Sequence, residues 1–338
     1  MFNNLKEKMG GYKNRLFSFM KEKLSKIKDL FTKENLLKIK ECFKKENLLK
    51  IKDFFNKENL LKIKEKLLQK RDWTDYLFIG LIVLAIVMIL VEFVNNKADQ
   101  KAFLEQQEQL QVQKEVTETV EETPEVKVTN EDGILLEYEE LYNQNKDMIG
   151  WLKIDDTFID YPVMQTMEDE NFYLKRNFEK EDDDNGCLIM DTDSVVGEGT
   201  KEFGYAEGKE PSSNLIIHGH NMRSGNMFGE LDLYEDEAYG KEHSIICFDS
   251  VYEKREYELI SVFYSQVFYQ HEEVFKYYKF FQADTQEEFD DWYNNIKQMS
   301  LYDTGVEAEL GDEFITLSVC AYHVEDGRFV VVGKRIDN

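Results

Sequence analysis

The apolar, β-branched run Phe314-Ile315-Thr316-Leu317-Ser318-Val319-Cys320 constrains this chain more than any other stretch. A run of this kind reads as a strand, and this one delivers a thiol to its own end. Arg328 opens the next such run, Phe329-Val330-Val331-Val332-Gly333-Lys334, so the two are expected as a hairpin or as near neighbours. That arrangement sets a guanidinium beside the thiol. A hundred residues before the cysteine, Asn214-Leu215-Ile216-Ile217-His218-Gly219-His220-Asn221-Met222 reads as a strand that ends in histidines. Thiol, imidazole and a fixed cation are the parts that acyl transfer through a thioester requires.

Charge divides the chain. Acidic residues outnumber basic ones 68 to 42, yet residues 1–71 carry a net +12 and residues 72–338 a net −38. A surface as acidic as that of the second part excludes nucleic acid as its partner. The cysteines are Cys42, Cys187, Cys247 and Cys320. Spacing and context make no disulfide framework, so Cys320 is expected as a free thiol with a task and Cys187 and Cys247 as core residues.

Within the basic part, Lys33-Glu34-Asn35-Leu36-Leu37-Lys38-Ile39-Lys40 recurs at 45–52 and 57–64, a period of 12. On a helix, 12 residues turn through about 1200°, which leaves each apolar stripe about 120° from the last. Short amphipathic pieces of this kind suit an anionic membrane surface, and a plain low-complexity expansion accounts for them equally well. The segment Tyr76 to Val94 follows, uninterrupted in its apolar character from Leu77 to Val91. Its length at about 1.5 Å per residue matches a hydrocarbon core about 30 Å thick. Six Lys/Arg in 57–75 against two in 95–113 place the N-terminus in the cytoplasm. The expected organisation is a basic cytoplasmic segment (1–71), a transmembrane signal anchor (72–94), a stalk and linker (95–129) and an extracellular globular domain (130–338). The localisation that follows is the cell membrane, single-pass.

Ile134, Leu135, Tyr138, Leu141 and Tyr142 share a helical face. Strands are expected at 149–154, 158–164, 187–191, 214–219, 244–249, 256–264, 277–282, 313–319 and 329–335. One helix is inserted, Thr285 to Met299, capped by Asp284 or Thr285 with acids in its first turn. Many short strands with one inserted helix make a mostly β fold of barrel type.

Four segments carry a resemblance to a known family: 145–154, 159–163, Gly219-His220-Asn221-Met222 and Gly311 to Cys320. In this order they resemble the sortases, most closely class B. The likeness extends over roughly residues 132–336. It implies a sortase-like β-barrel of about eight strands with an N-terminal helix and one inserted helix. It also implies the activity: a cysteine transpeptidase that cleaves the C-terminal sorting signal of an exported protein through a Cys thioester and passes the acyl group to an amine. Partners implied are the sorting-signal peptide, an amine acceptor such as a peptidoglycan precursor, and the membrane. Alternatives are a thiol protease with water as acceptor, a pilin-polymerising sortase, or a surface protein that only binds peptide. The family's usual Thr-Leu-Ser-Thr-Cys has Val319 in its fourth place here, so a hydroxyl that could hold substrate is missing. No acid follows Cys320 directly, and no carboxylate is assigned a role.

By chemistry and by this likeness, Cys320 is the expected nucleophile and Arg328 the stabiliser of oxyanion or substrate. Two residues apart on a strand, His218 and His220 project from one face, and both titrate near neutrality. The Gly-His-Asn context of the family selects His220 as general acid/base and leaves His218 as a polar residue at the rim. Arg335 is expected as an ordinary surface arginine. The acidic run 179–184 reads as a solvated loop, and neither cofactor nor metal is expected.

Overall fold

The protein is seen in a computed structural model that describes residues 73–118 and 129–336. The 12-residue repeats and Cys42 lie outside these residues. Contacts divide the chain into two units, 1–91 and 92–338.

The described part of the first unit belongs to helix α1 (Trp73–Glu118), which runs without a break from the apolar run into the Glu- and Gln-rich segment. A hydrocarbon core needs about 20 consecutive apolar residues in one helix. Among the described residues, no helix is long and apolar enough to cross a membrane. The expected anchor at 72–94, and with it the single-pass localisation, is corrected on that finding.

The second unit is built on eight strands: β1 (Met148–Lys153), β2 (Asp160–Met164), β3 (Leu188–Met190), β6 (Asn214–Gly219), β7 (Ile245–Ser250), β8 (Glu256–Gln266), β9 (Phe314–Cys320) and β10 (Gly327–Ile336). They close into a barrel in the order β1-β2-β3-β6-β9-β10-β8-β7, with β7 returning to β1. Neighbours are antiparallel except β2–β3 and β6–β9. A small hairpin, β4 (Gly199–Thr200) and β5 (Gly204–Tyr205), stands apart, and a short helix, α3 (Glu237–Glu242), precedes β7.

Alternation along β9 assigns the two faces. Ile315, Leu317 and Val319 join the barrel interior with Phe329 and Val331 of β10. Phe314 faces outward with Val330 and Val332, under helix α4 (Gln286–Met299). That helix buries Phe289, Trp292 and Ile296, spaced i, i+3 and i+7. Trp292 packs edge-on to Phe314 at 4.7 Å and flat against Phe280 at 4.2 Å. Its first turn is a capping box: the Glu288 N–H donates to Thr285 Oγ1 at 3.3 Å, and the Thr285 N–H donates to Glu288 Oε2 at 3.1 Å. Thr285, not Asp284, is therefore the cap.

Helix α2 (Leu136–Gln144) covers β1, where Tyr138 stacks on Trp151 and donates to Asp249 Oδ2 at 2.7 Å. The polar half of α1 packs on the same unit through one stripe, Phe103, Gln107 and Leu110, all buried. Phe103 meets Tyr161 of β2 with ring centroids 6.2 Å apart.

Two expectations change here. Residues 277–282 are not a strand; Tyr277–Lys279 forms a 3₁₀ turn. A closed barrel offers a ninth strand no edge, so the segment satisfies its backbone singly. Phe281 O accepts from the Asn214 N–H at 3.0 Å, and Phe280 O from Asn214 Nδ2 at 2.9 Å. Arg335 is not a surface residue. Its side chain is 7% exposed and donates to Glu253 Oε1 at 2.8 Å and Glu313 Oε2 at 2.7 Å.

Candidate active site

Cys320 ends β9, whose six preceding residues are all buried. Ser318, on the same face, is buried beneath the Tyr277 hydroxyl, which lies 2.7 Å from Ser318 Oγ. Two residues on, Cys320 is exposed. Arg328 of β10 is its direct partner across the antiparallel ladder, so both side chains leave the sheet on one face. The register thus sets Arg328 directly opposite Cys320. Arg328 Nη1 donates to the carbonyls of Gly327 and Asp326, at 3.0 and 3.3 Å.

On the other side of β9 runs β6, parallel, with His218 opposite Ser318 and Gly219 opposite Val319. His220 and Cys320 each lie one residue beyond that last pair. Gly219 is needed there because a Cβ would stand 2.6 Å from the Phe228 ring and 2.7 Å from Leu188. The His220 ring is held by the Leu174 carbonyl, 2.7 Å from Nε2. A carbonyl only accepts, so Nε2 carries a proton and Nδ1 is the basic nitrogen of the neutral ring. Asn221 Nδ2 donates to the Cys320 carbonyl at 2.9 Å.

The two histidines have different surroundings. His218 Nε2 lies 3.2 Å from Asp191 Oδ2. Burial pushes the Asp191 carboxyl up, but hydrogen bonds from His218 and from the Asp193 N–H hold it below the ordinary carboxylate range. His218 is therefore hydrogen-bonded to a carboxylate on the outer face, while the His220 ring is hydrogen-bonded to a backbone carbonyl.

Val319 lies in the barrel interior, 1% exposed. A hydroxyl at that position would face the core rather than the thiol's side, so the departure from the family's threonine removes nothing from the exposed face. The acidic run folds as turns in which the Glu181 carbonyl accepts from the Asn177 N–H at 2.9 Å and the Asp183 carbonyl from the Gly186 N–H at 3.1 Å.

Tyr277 escaped the sequence reading, which placed it in a strand. Burial pushes its hydroxyl up to about 12, and it also feels the charges of Arg328 and Cys320. Its only sequence signal is an aromatic pair, Tyr277-Tyr278, ahead of the helix cap. A large open cavity of about 1190 Å³ lies at the opposite end of β8 and β10, lined by residues such as Trp151, Lys153, Asp249 and Arg335. It contains none of Cys320, His220 or Arg328.

Burial separates the described cysteines. Desolvation pushes the Cys187 thiol well up, and it lies 3.4 Å from the Arg176 carbonyl. Desolvation also raises half-buried Cys247 to about 11. Since the thiolate is the nucleophile, iodoacetamide at pH 7.5 is expected to label Cys320 at least about tenfold faster than Cys247, and Cys187 only after unfolding. Peptide mapping by mass spectrometry reads the order. Equal rates at Cys247 and Cys320 in folded protein would contradict it.

No family model matches the chain. Sortase B of Listeria monocytogenes is 32% identical over 217 residues, covering 63% of this chain and 80% of that protein. Sortase B of Staphylococcus aureus is 29% identical over 210 residues, covering 61% and 78%. The crystal structure of sortase B from Bacillus anthracis in complex with AAEK1 superposes with a TM-score of 0.55 at 26% identity, over 70% of this chain and 98% of that one. Identity of this extent along four-fifths of the Listeria protein, on a matching fold, carries the assignment: the chain belongs to the sortase B family and is a cysteine transpeptidase.

Proposed function

We propose that residues 130–338 cleave the sorting signal of an exported protein at Cys320 and pass its acyl group to an amine, as in cell-wall anchoring. The observation that carries this reading is the register around β9: Arg328 faces Cys320 from β10, and His220 follows the residue paired with Val319 on β6.

In the first step the Cys320 thiolate, its proton having passed to His220, attacks the scissile carbonyl. Negative charge gathers on the carbonyl oxygen, where the Arg328 guanidinium stabilises it. The C–N bond then breaks, and His220 protonates the departing amine. A thioester between substrate and Cys320 remains. In the second step an incoming amine attacks the thioester carbonyl and gives up a proton to His220. The thiolate leaves, and enzyme and proton inventory return to their starting state. A peptidoglycan precursor has the chemistry of such an acceptor.

The acceptor decides between transferase and protease. With a panel of five-residue sorting signals as donors, saturating hydroxylamine is expected to raise product formation several-fold and to yield the hydroxamate. Water, at about 55 M, already resolves a protease's acyl-enzyme quickly, so amine changes little there. Free acid as the sole product at saturating amine would replace this reading with the thiol protease.

A further inference from the structure

We propose that Asn221 is a positioning residue of the transfer reaction, holding the main chain of Cys320 in the place the thiol requires. The inference rests on the reading of Cys320 as nucleophile.

The parallel ladder between β6 and β9 ends at the pair Gly219 and Val319. His220 and Cys320, where the chemistry is placed, lie one residue beyond it. At that point β6 turns away: the His220 carbonyl accepts from the Phe228 N–H at 3.0 Å, not from β9. Asn221 fills the gap. Its Nδ2 donates to the Cys320 carbonyl at 2.9 Å, across 99 residues of sequence. A side-chain amide thus stands where the next rung of the ladder would be, and it ties the histidine-bearing strand to the cysteine-bearing one.

The donor is held in place by a built turn. Asn221 pairs with Met227 in an isolated antiparallel bridge. The segment just after the bridge packs back on the loop between them so closely that a Cβ on Gly229 would stand 2.2 Å from the Met222 carbonyl oxygen. The Met227 N–H donates to the Tyr161 hydroxyl at 3.3 Å, and Asn226 Nδ2 to Asn185 Oδ1 at 3.4 Å. Those bonds fasten the turn to β2 and to the loop before β3. The residue type follows from the contact. A carboxamide is a short neutral donor, whereas an aspartate at 221 would set an acceptor against the carbonyl oxygen.

Losing one positioning hydrogen bond at the reacting centre is expected to lower kcat about tenfold. The test uses the full chain, hydroxylamine, and the panel peptide that the wild type turns over fastest. Asn221→Ala and Asn221→Asp should each lose about tenfold in kcat while KM stays within about twofold. Alkylation of Cys320 by iodoacetamide should stay within about twofold, because the thiol remains exposed. Asn221→Asp keeps the shape of the side chain, so it reads the same effect if the alanine variant does not fold. Wild-type kcat in the folded variants, or a loss that falls on KM alone, overturns the proposal. Cys320→Ala, run alongside, separates the two readings. If that variant keeps turnover, the nucleophile assignment fails. If it loses turnover while both Asn221 variants behave as wild type, only the role of Asn221 fails.

Discussion

Cys320→Ala is expected to abolish acyl transfer, and His220→Ala to lower kcat by about 10²–10⁴-fold, the range of general acid–base catalysis. No neighbour can replace the thiol. Val319 points into the barrel, Ala321 has no nucleophile, and the Ser318 hydroxyl is buried against Tyr277. His218→Ala should retain at least about a tenth of the activity. Its imidazole is hydrogen-bonded to Asp191, so its loss disturbs that contact on the outer face rather than the departing amine. Steady-state kinetics on the three variants, with unfolding curves to confirm that each folds, gives the ranking. If His218→Ala is the more damaging histidine change, the base moves two residues upstream.

The largest effect on stability is expected at Arg335. Two carboxylates, Glu253 and Glu313, receive its guanidinium, and Glu253 also takes Arg255 Nε at 2.8 Å. Burial opposes the charge on Arg335, yet the hydrogen bonds to Glu253 and Glu313 push its pKa further up. Truncation would leave two half-buried carboxylates short of their counter-charge. Arg335→Ala is therefore expected to cost about 3–5 kcal/mol, lowering Tm by on the order of 10 °C. Thermal unfolding at pH 7 measures it; a fall of less than about 2 °C would show that the cluster contributes little.

The same cluster has a pH signature. Burial raises the Glu253 carboxyl, but the Lys201 N–H, Arg335 and Arg255 bring it below its ordinary value of 4.5. A depressed carboxylate contributes stability that is complete above the unfolded-state pKa and lost as pH falls through the folded one. The Tm difference between wild type and Arg335→Ala should therefore shrink on the acid side of pH 4.5.

Local chemistry made much of this molecule legible in one dimension. The strand runs at β6, β9 and β10 are apolar and β-branched, and each appears within a residue or two of its observed bounds. Helix α4 was readable from its acidic first turn and its Phe289, Trp292, Ile296 spacing, because a cap and a periodic face are local properties. The pairing of Cys320 with Arg328 was accessible for the same reason: a hairpin is the shortest tertiary contact a chain can make.

What needed the tertiary structure were the places where distant segments compete. Residues 277–282 have strand composition, but closure of the barrel removed the edge they would have joined. Arg335 has the composition of a surface residue; only the approach of Glu253 and Glu313 made it a buried one. Apolar composition at 77–91 could not by itself settle a membrane crossing, and none of the described helices is long and apolar enough for one. Asn221 carried no signal as a partner of Cys320, because its carboxamide reaches a carbonyl 99 residues away. Periodicity and capping act within one turn or one pleat, so a sequence can display them directly. The register of a parallel pair such as β6 and β9 depends on the packing of the whole barrel, and only the folded chain decides it.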